Sequence, residues 1–335
     1  MKVLNSMNNE YIFHILFISL SLILIKFRNQ IASYMKIMDY PNSSRKLHLG
    51  PVSSAGGLVL FPYIVFSLVY LNYLSELSIK HLMMSVFLIV YFGILGLIDD
   101  RSSLNAKIKT FFLLIVLLIV IPLDKNYIIN AIIFKDLNHI IILNQGSLFF
   151  TIFCIFFLYN ALNFADGANG IALGLCLFWI SSIILISNTV SVFHVSVAIS
   201  ILLVLVPNLL NKIFIGNSGA NLLAIVFSII FTNLYNHNYI YFDQIILLVF
   251  LPSIDLIRVV IERLIKNNSP LNADQSHFHH LLCKIINSKL VFLPYLTLAT
   301  TPYILSFFYL KSYIALIIGL VAYFVILFFL KNKNG

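Results

Sequence analysis

Residues 82–100 read LMMSVFLIVYFGILGLIDD: seventeen uncharged, mostly apolar residues, then two adjacent aspartates. A bilayer's hydrocarbon core takes a helix of about 20 apolar residues to cross. This run is therefore expected to span a membrane, with Asp99 and Asp100 at its surface.

Runs of the same kind recur at 11–27, 56–74, 108–123, 147–163, 170–188, 190–207, 219–235, 242–261, 290–309 and 312–330. The fold expected is an all-α polytopic membrane protein with about eleven transmembrane helices (ten or eleven) in a single integral-membrane domain over residues 1–335. About eleven spans use roughly 220 residues and leave connections too short for a soluble domain. The first span is not expected to be a cleaved signal peptide, because Lys26 and Arg28 follow its apolar run rather than precede it. Residues 123–146 alternate short apolar segments around Lys135-Asp136, and a small β-hairpin on the outer face is expected there.

Composition agrees. The chain is 61% apolar and 10% charged, with a mean hydropathy of +1.00, against about 25% charged in soluble domains. A soluble enzyme, a secreted disulfide scaffold and a disordered chain are all excluded. Cys154, Cys176 and Cys283 form no CxxC and no paired spacing, as expected of small core residues.

The net charge of +9 is unevenly placed. Sixteen of the 21 Lys and Arg fall in the loops after spans 1, 3, 5, 7 and 9, at the span ends that border them, or in the C-terminal tail. The positive-inside bias puts these loops in the cytoplasm and the N-terminus outside. Part of this basic excess is placed to attract anionic lipid or an anionic substrate, and nucleic acid is not needed to explain it.

Five polar clusters lie on this cytoplasmic side. In GLIDDRSSLNAKIK, Asp99 and Asp100 are like charges that favour a cation or proton between them; a salt bridge to Arg101 or Lys107 is the structural alternative. In NALNFADGANGIALG, the amides Asn160 and Asn163 precede Asp166, and Gly167 and Gly170 bracket Asn169. Glycines allow close approach of backbone to a ligand, and the next helix offers an N-terminus to an anion. In NLLNKIFIGNSGANLLA, Gly216, Ser218 and Gly219 open a helix beside Lys212 and Phe214. In PSIDLIRVVIERLIKNNSPLNADQSHFHHLL, His277, His279 and His280 crowd one segment. Zinc and phosphate contact are both open for these histidines, and Asp255 with Arg258 reads as an i,i+3 ion pair. In DYPNSSRKLHLGPVSSAGGL, Arg45, Lys46 and His48 suit a diphosphate or lipid headgroups. A transporter would instead place ionisable groups near the bilayer midplane. Carboxylates, glycine turns and cations on one face suit a phosphorylated, water-soluble donor meeting a lipid acceptor.

In this order the clusters resemble the polyprenyl-phosphate N-acetylhexosamine-1-phosphate transferase family, a glycosyltransferase family 4 group related to the phospho-N-acetylmuramoyl-pentapeptide transferases. The similarity covers roughly residues 39–282, with DD…L.AK.K and sP..AD.sH.HH.L its specific motifs. The HxHH form is closer to the sugar-phosphate branch. The resemblance implies transfer of a HexNAc-1-phosphate from a UDP-N-acetylhexosamine to undecaprenyl phosphate, with release of UMP. This is a first membrane step of O-antigen, capsule or teichoic-type polysaccharide synthesis, in the bacterial cytoplasmic (inner) membrane. It implies Mg²⁺, with Mn²⁺ an alternative, and leaves a homodimer open. Residue by residue, it implies metal contacts for Asp99, Asp100 and the position of Asn217. It implies catalytic parts for Asp99, Asp100, Asp166 and His279, Asp99 activating the lipid phosphate. Substrate contacts carry over to Arg45, Lys46, His48, Asn163, Asn169, Phe214 (stacking on uracil), His277 and His280. Two positions depart. Many members read DGxDG where this chain has Asn169. The family usually reads FxGDxG where this chain has Asn217, which keeps a carbonyl oxygen but no charge at the main metal ligand. A second reading follows from Asn217: a catalytically degenerate member acting as a binding or assembly partner.

Overall fold

The computed structural model describes residues 2–41, 50–75, 78–187, 191–270 and 275–334. In chain order the helices are Lys2–Lys26 (α1), Arg28–Met35 (α2), Gly56–Ser75 (α3), Ile79–Ser102 (α4), Ala106–Val120 (α5), Ser147–Ala165 (α6), Ile171–Ser187 (α7), Val192–Leu209 (α8), Gly216–Asn236 (α9), Phe242–Leu248 (α10), Phe250–Ile265 (α11), Phe278–Cys283 (α12), Phe292–Phe308 (α13) and Ser312–Asn334 (α14). Two short antiparallel hairpins pair Met38–Asp39 (β1) with Val52–Ser53 (β2), and Ala131–Phe134 (β3) with His139–Ile142 (β4).

Among the described residues, eight helices are long and apolar enough to cross a membrane. The pair α10–α11 makes a ninth if counted as one span, and α7 and α13 are apolar but shorter, at 17 residues each. Among the described residues, every apolar run read from the sequence is thus occupied by helix, while eight or nine, not eleven, reach span length by themselves. The chain is a mostly helical, multi-pass membrane protein.

Run 242–261 is not one straight helix. It breaks at Val249 and bends by 76°. Pro252 sits three residues past the break, where its ring opposes the carbonyl of Leu248 and it has no N–H to give. Elsewhere the helix ends follow local chemistry. Ser78, Asn105 and Ser191 cap α4, α5 and α8 through side-chain oxygens. Ser103 closes α4 in the left-handed region, donating its N–H to the Asp99 carbonyl at 2.8 Å.

The chain divides into two compact units, residues 1–103 with 179–223, and residues 104–178 with 224–335. In the first, α3 packs against α1, α4 and α8. Its core holds Leu60, Tyr63, Ile64, Ile89, Phe92, Val197 and Ile201, all at most 2% exposed. In the second, α6 packs against α5 and α11, and α13 against α10, α11 and α14. The expected outer hairpin is present as β3–β4. Tyr235 OH donates to the Ala131 carbonyl and accepts from the Ile133 N–H, at 2.7 and 2.8 Å. Buried Asp243 accepts from the Asp136 N–H (3.3 Å) and the Ser312 hydroxyl (2.7 Å), tying the hairpin to the starts of α10 and α14.

The second unit also forms an apolar cavity of about 400 Å³, open on one side, between α6, α9, α10, α11 and α14. Phe150, Phe153, Phe157, Phe231, Val249 and Ile254 line it, with Cys154, Ser228 and Thr232. The Ser228 and Thr232 hydroxyls donate to carbonyls of their own helix, so the wall stays apolar.

Candidate active site

In the first unit, the aspartates at the end of α4 meet the glycine turn that opens α9. Both oxygens of Asp100 accept from that helix start. Oδ1 receives the Asn217 N–H (2.7 Å) and the Asn217 side-chain amide (3.1 Å), and Oδ2 receives the Ser218 N–H (3.0 Å). A helix begins with N–H groups that have no partner in the helix, and a carboxylate from another helix serves them and complements the helix dipole.

Glycines make this approach feasible. Gly216 has φ +69°, and a Cβ on it would lie 2.7 Å from Asp100 Oδ2. Gly96, one turn before Asp100 on α4, gives room for the backbone of Asn217 and Ser218. Residues 53–57 run beside the same turn. Phe214 N–H donates to the Ser53 carbonyl (2.8 Å), and the N–H groups of Gly56 and Gly57 donate to Phe214 and Ile215 carbonyls (3.0 Å each). Phe214 is half-buried and Asp99 buried. Arg28 donates to the Lys212 carbonyl at 2.7 Å. Arg45, Lys46 and His48 lie outside the described residues, as does Asp274.

The second unit holds the other two clusters. Asn160 and Asn163 turn their amide N–H groups onto Phe156 and Tyr159 carbonyls, at 2.8 Å each, a bond local to α6. Asp166 ends α6, its N–H on the Leu162 carbonyl. Asp166 and Asn169 are half-buried, and Gly170 has φ +80°. Gly167 abuts His279, whose Nε2 faces it so closely that any Cβ would collide. His277 and His279 are 4% and 1% exposed, their rings parallel within 9° with centroids 5.8 Å apart. His280, half-buried, has its ring 4.1 Å from that of His279. Burial, with His280 and His277 beside it, holds the His279 pKa well below the ordinary 6.5, so it is neutral at physiological pH.

Asp255 is more than half of an ion pair. It accepts from Arg258 (2.6 Å), Tyr323 OH (2.9 Å) and the Phe278 N–H (3.1 Å), and its Oδ2 lies 2.9 Å from His277 Nδ1. The i,i+3 spacing gives Arg258. Tyr323, 68 residues away, carries no local signal in the sequence.

Among the described residues, no three His, Cys, Asp or Glu side chains gather into a set that could hold a metal ion. The HxHH histidines do not form one. For Mg²⁺, both oxygens of Asp100 already accept N–H groups, and Asp99 and the Asn217 amide oxygen are the other oxygen donors of these two motifs. Mg²⁺ keeps several waters and is commonly held by one or two protein oxygens plus substrate phosphates. On that chemistry the donors fit a magnesium ion completed by substrate.

These features define a multi-pass membrane protein with a carboxylate-capped glycine turn in one unit and a buried histidine motif in the other. Residues 82–235 match the family model described as Glycosyl transferase family 4, and the resemblance read from the sequence is borne out. The chain is 23% identical to the undecaprenyl-phosphate alpha-N-acetylglucosaminyl 1-phosphate transferase of Escherichia coli (strain K12), over 77% of this chain and 72% of that protein. To the enzyme of the same name from Salmonella typhi it is 24% identical, over 85% and 78%. To the "Probable undecaprenyl-phosphate N-acetylglucosaminyl 1-phosphate transferase" of Bacillus subtilis (strain 168) it is 27% identical, over 78% and 74%.

Proposed function

We propose that this chain transfers a HexNAc-1-phosphate from a UDP-sugar to undecaprenyl phosphate and releases UMP. In this reading it works in the bacterial cytoplasmic membrane, with eleven spans and the N-terminus outside, at the start of surface-polysaccharide synthesis. The observation that carries the reading is Asp100's hold on Asn217 and Ser218. It joins two motifs that stand near opposite ends of the matched segment 82–235.

Phosphoryl transfer asks mainly for positioning and for neutralisation of developing charge. Asp99 is assigned the charge beside the acceptor phosphate, and it and the Asn217 oxygen are assigned the Mg²⁺, which when bound neutralises the donor diphosphate. Asp100 holds the turn rather than the ion. Phe214 is assigned the uracil, and Asp166, Asn163 and Asn169 the central loop's contacts to the donor. Arg45, Lys46, His48 and His280 steady the diphosphate, and His277 and His279 complete the donor site. The apolar cavity of the second unit suits part of a polyprenyl tail, since its wall is almost wholly apolar.

Membranes containing the protein, given radiolabelled UDP-GlcNAc, undecaprenyl phosphate and Mg²⁺, test this reading by lipid-linked product and UMP. The Asn217–Asp100 bond favours a second reading, a member that binds without turnover. No product from any UDP-HexNAc, together with product from Asn217→Asp, would establish that second reading and remove the first.

A further inference from the structure

Asp255 sits 4% exposed at the centre of a network with Arg258, His277 and Tyr323, all buried. Its charge is already balanced. Arg258 pairs with it at 2.6 Å, and Glu262, held by Arg258 at 3.0 Å, is paired with Lys331 at 2.7 Å. Arg258 and Lys331 thus answer the carboxylates of Asp255 and Glu262. Arg258 also donates to the Ser276 carbonyl at 2.7 Å, and Asp255 accepts the Phe278 N–H. The residues on either side of His277 are thereby fixed. The ring lies parallel to that of His279 and 4.9 Å from that of Phe164. Its Nε2 is buried with no hydrogen-bond partner.

We propose that Asp255 is a positioning residue for His277, holding it as the neutral Nδ1–H tautomer with Nε2 as a hydrogen-bond acceptor. An ionised carboxylate only accepts, so the ring nitrogen facing it carries the proton. In a neutral imidazole the other nitrogen then keeps its lone pair. The chemical consequence rests on the proposed transfer. His277 enters that reaction as an acceptor for a hydroxyl or amide N–H of the nucleotide sugar, and not as a cation on the diphosphate. Arg258 and Tyr323 hold Asp255 in turn, Tyr323 OH receiving Arg258 Nε at 2.7 Å.

The test is the imidazole ¹⁵N spectrum of full-length protein labelled on histidine in lipid nanodiscs at neutral pH, with His277 assigned by its loss in His277→Gln. The expected pattern is protonated Nδ1 and unprotonated Nε2. An Nε2–H tautomer or an imidazolium overturns the proposal. In Asp255→Asn the amide N–H can face the ring, and the tautomer is expected to reverse. With UDP-GlcNAc and undecaprenyl phosphate, kcat is expected to fall and KM for the UDP-sugar to rise, kcat/KM falling about tenfold or more. Tyr323→Phe removes a bond of the same network and is expected to keep the wild-type tautomer. An unchanged tautomer and unchanged kcat/KM in Asp255→Asn also overturn the proposal. The wild-type spectrum needs no substrate, so failure of the transfer reading leaves this result readable.

Discussion

Gly167 and His279 are pressed together: the imidazole Nε2 faces the glycine α-carbon with no room for a methyl group between them. His279 is 1% exposed, so its ring has nowhere to retreat. Gly167→Ala is expected to displace the histidine and lower turnover strongly, with a stability loss of about 1–3 kcal/mol from overpacking. Thermal unfolding and turnover measured on one preparation check this. Wild-type values in both would show that the ring moves freely.

Asp100→Ala leaves two helix-start N–H groups and one side-chain amide without their charged acceptor. Hydrogen bonds to a charged group are worth about 1.5–3 kcal/mol. Asp100→Ala is expected to lower the melting temperature by an amount independent of added Mg²⁺. A loss that appears only with Mg²⁺ present would return Asp100 to the metal.

Asn217→Asp would set a second carboxylate where an amide now donates to Asp100 at 3.1 Å. Two like charges so close favour a cation between them. The variant is expected to melt lower than wild type in chelator and to gain more from Mg²⁺ than wild type does. Equal Mg²⁺ shifts in the two proteins would count against it.

His279 sets a pH dependence. Its folded-state pKa lies well below 6.5. Below pH 6.5 the unfolded chain therefore binds a proton that the folded one refuses. The sign of the linkage makes stability fall as pH drops below about 6.5 and level off above it. Unfolding in detergent between about pH 7.5 and 5 measures the slope, and His279→Gln is expected to flatten it.

Cys154→Phe would add a ring to the apolar cavity of the second unit. If that cavity takes part of the polyprenyl tail, KM for undecaprenyl phosphate is expected to rise about tenfold, near 1.4 kcal/mol, with KM for the UDP-sugar unchanged. Initial rates with each substrate varied in turn separate the two.

Span-forming segments were legible because membrane burial is written locally, in runs such as 82–98. So was the hairpin at 131–142, whose alternation flanks the Lys135-Asp136 turn. The bend at Val249 was signalled by Pro252, but averaged away by the apolar residues around it. The polar motifs stood out against an apolar background, yet their partners did not. Asp100 finds Asn217 and Ser218 more than a hundred residues away, and Asp255 finds Tyr323 on another helix. Contacts between distant segments leave no periodicity to read. Asn163 shows the reverse case. The sequence marks its amide as a ligand contact but does not show that one of its N–H groups is given to the Tyr159 carbonyl one helical turn back.

The grip of Asp100 on α9 has a bearing on how this turn can change over generations. Two of its three bonds go to backbone N–H groups of residues 217 and 218, which every amino acid except proline carries. The side chain at 217 is therefore open to substitution, asparagine included, without releasing the helix start. The anchoring side, Asp100, has no such latitude, because its bonds come from its own two oxygens.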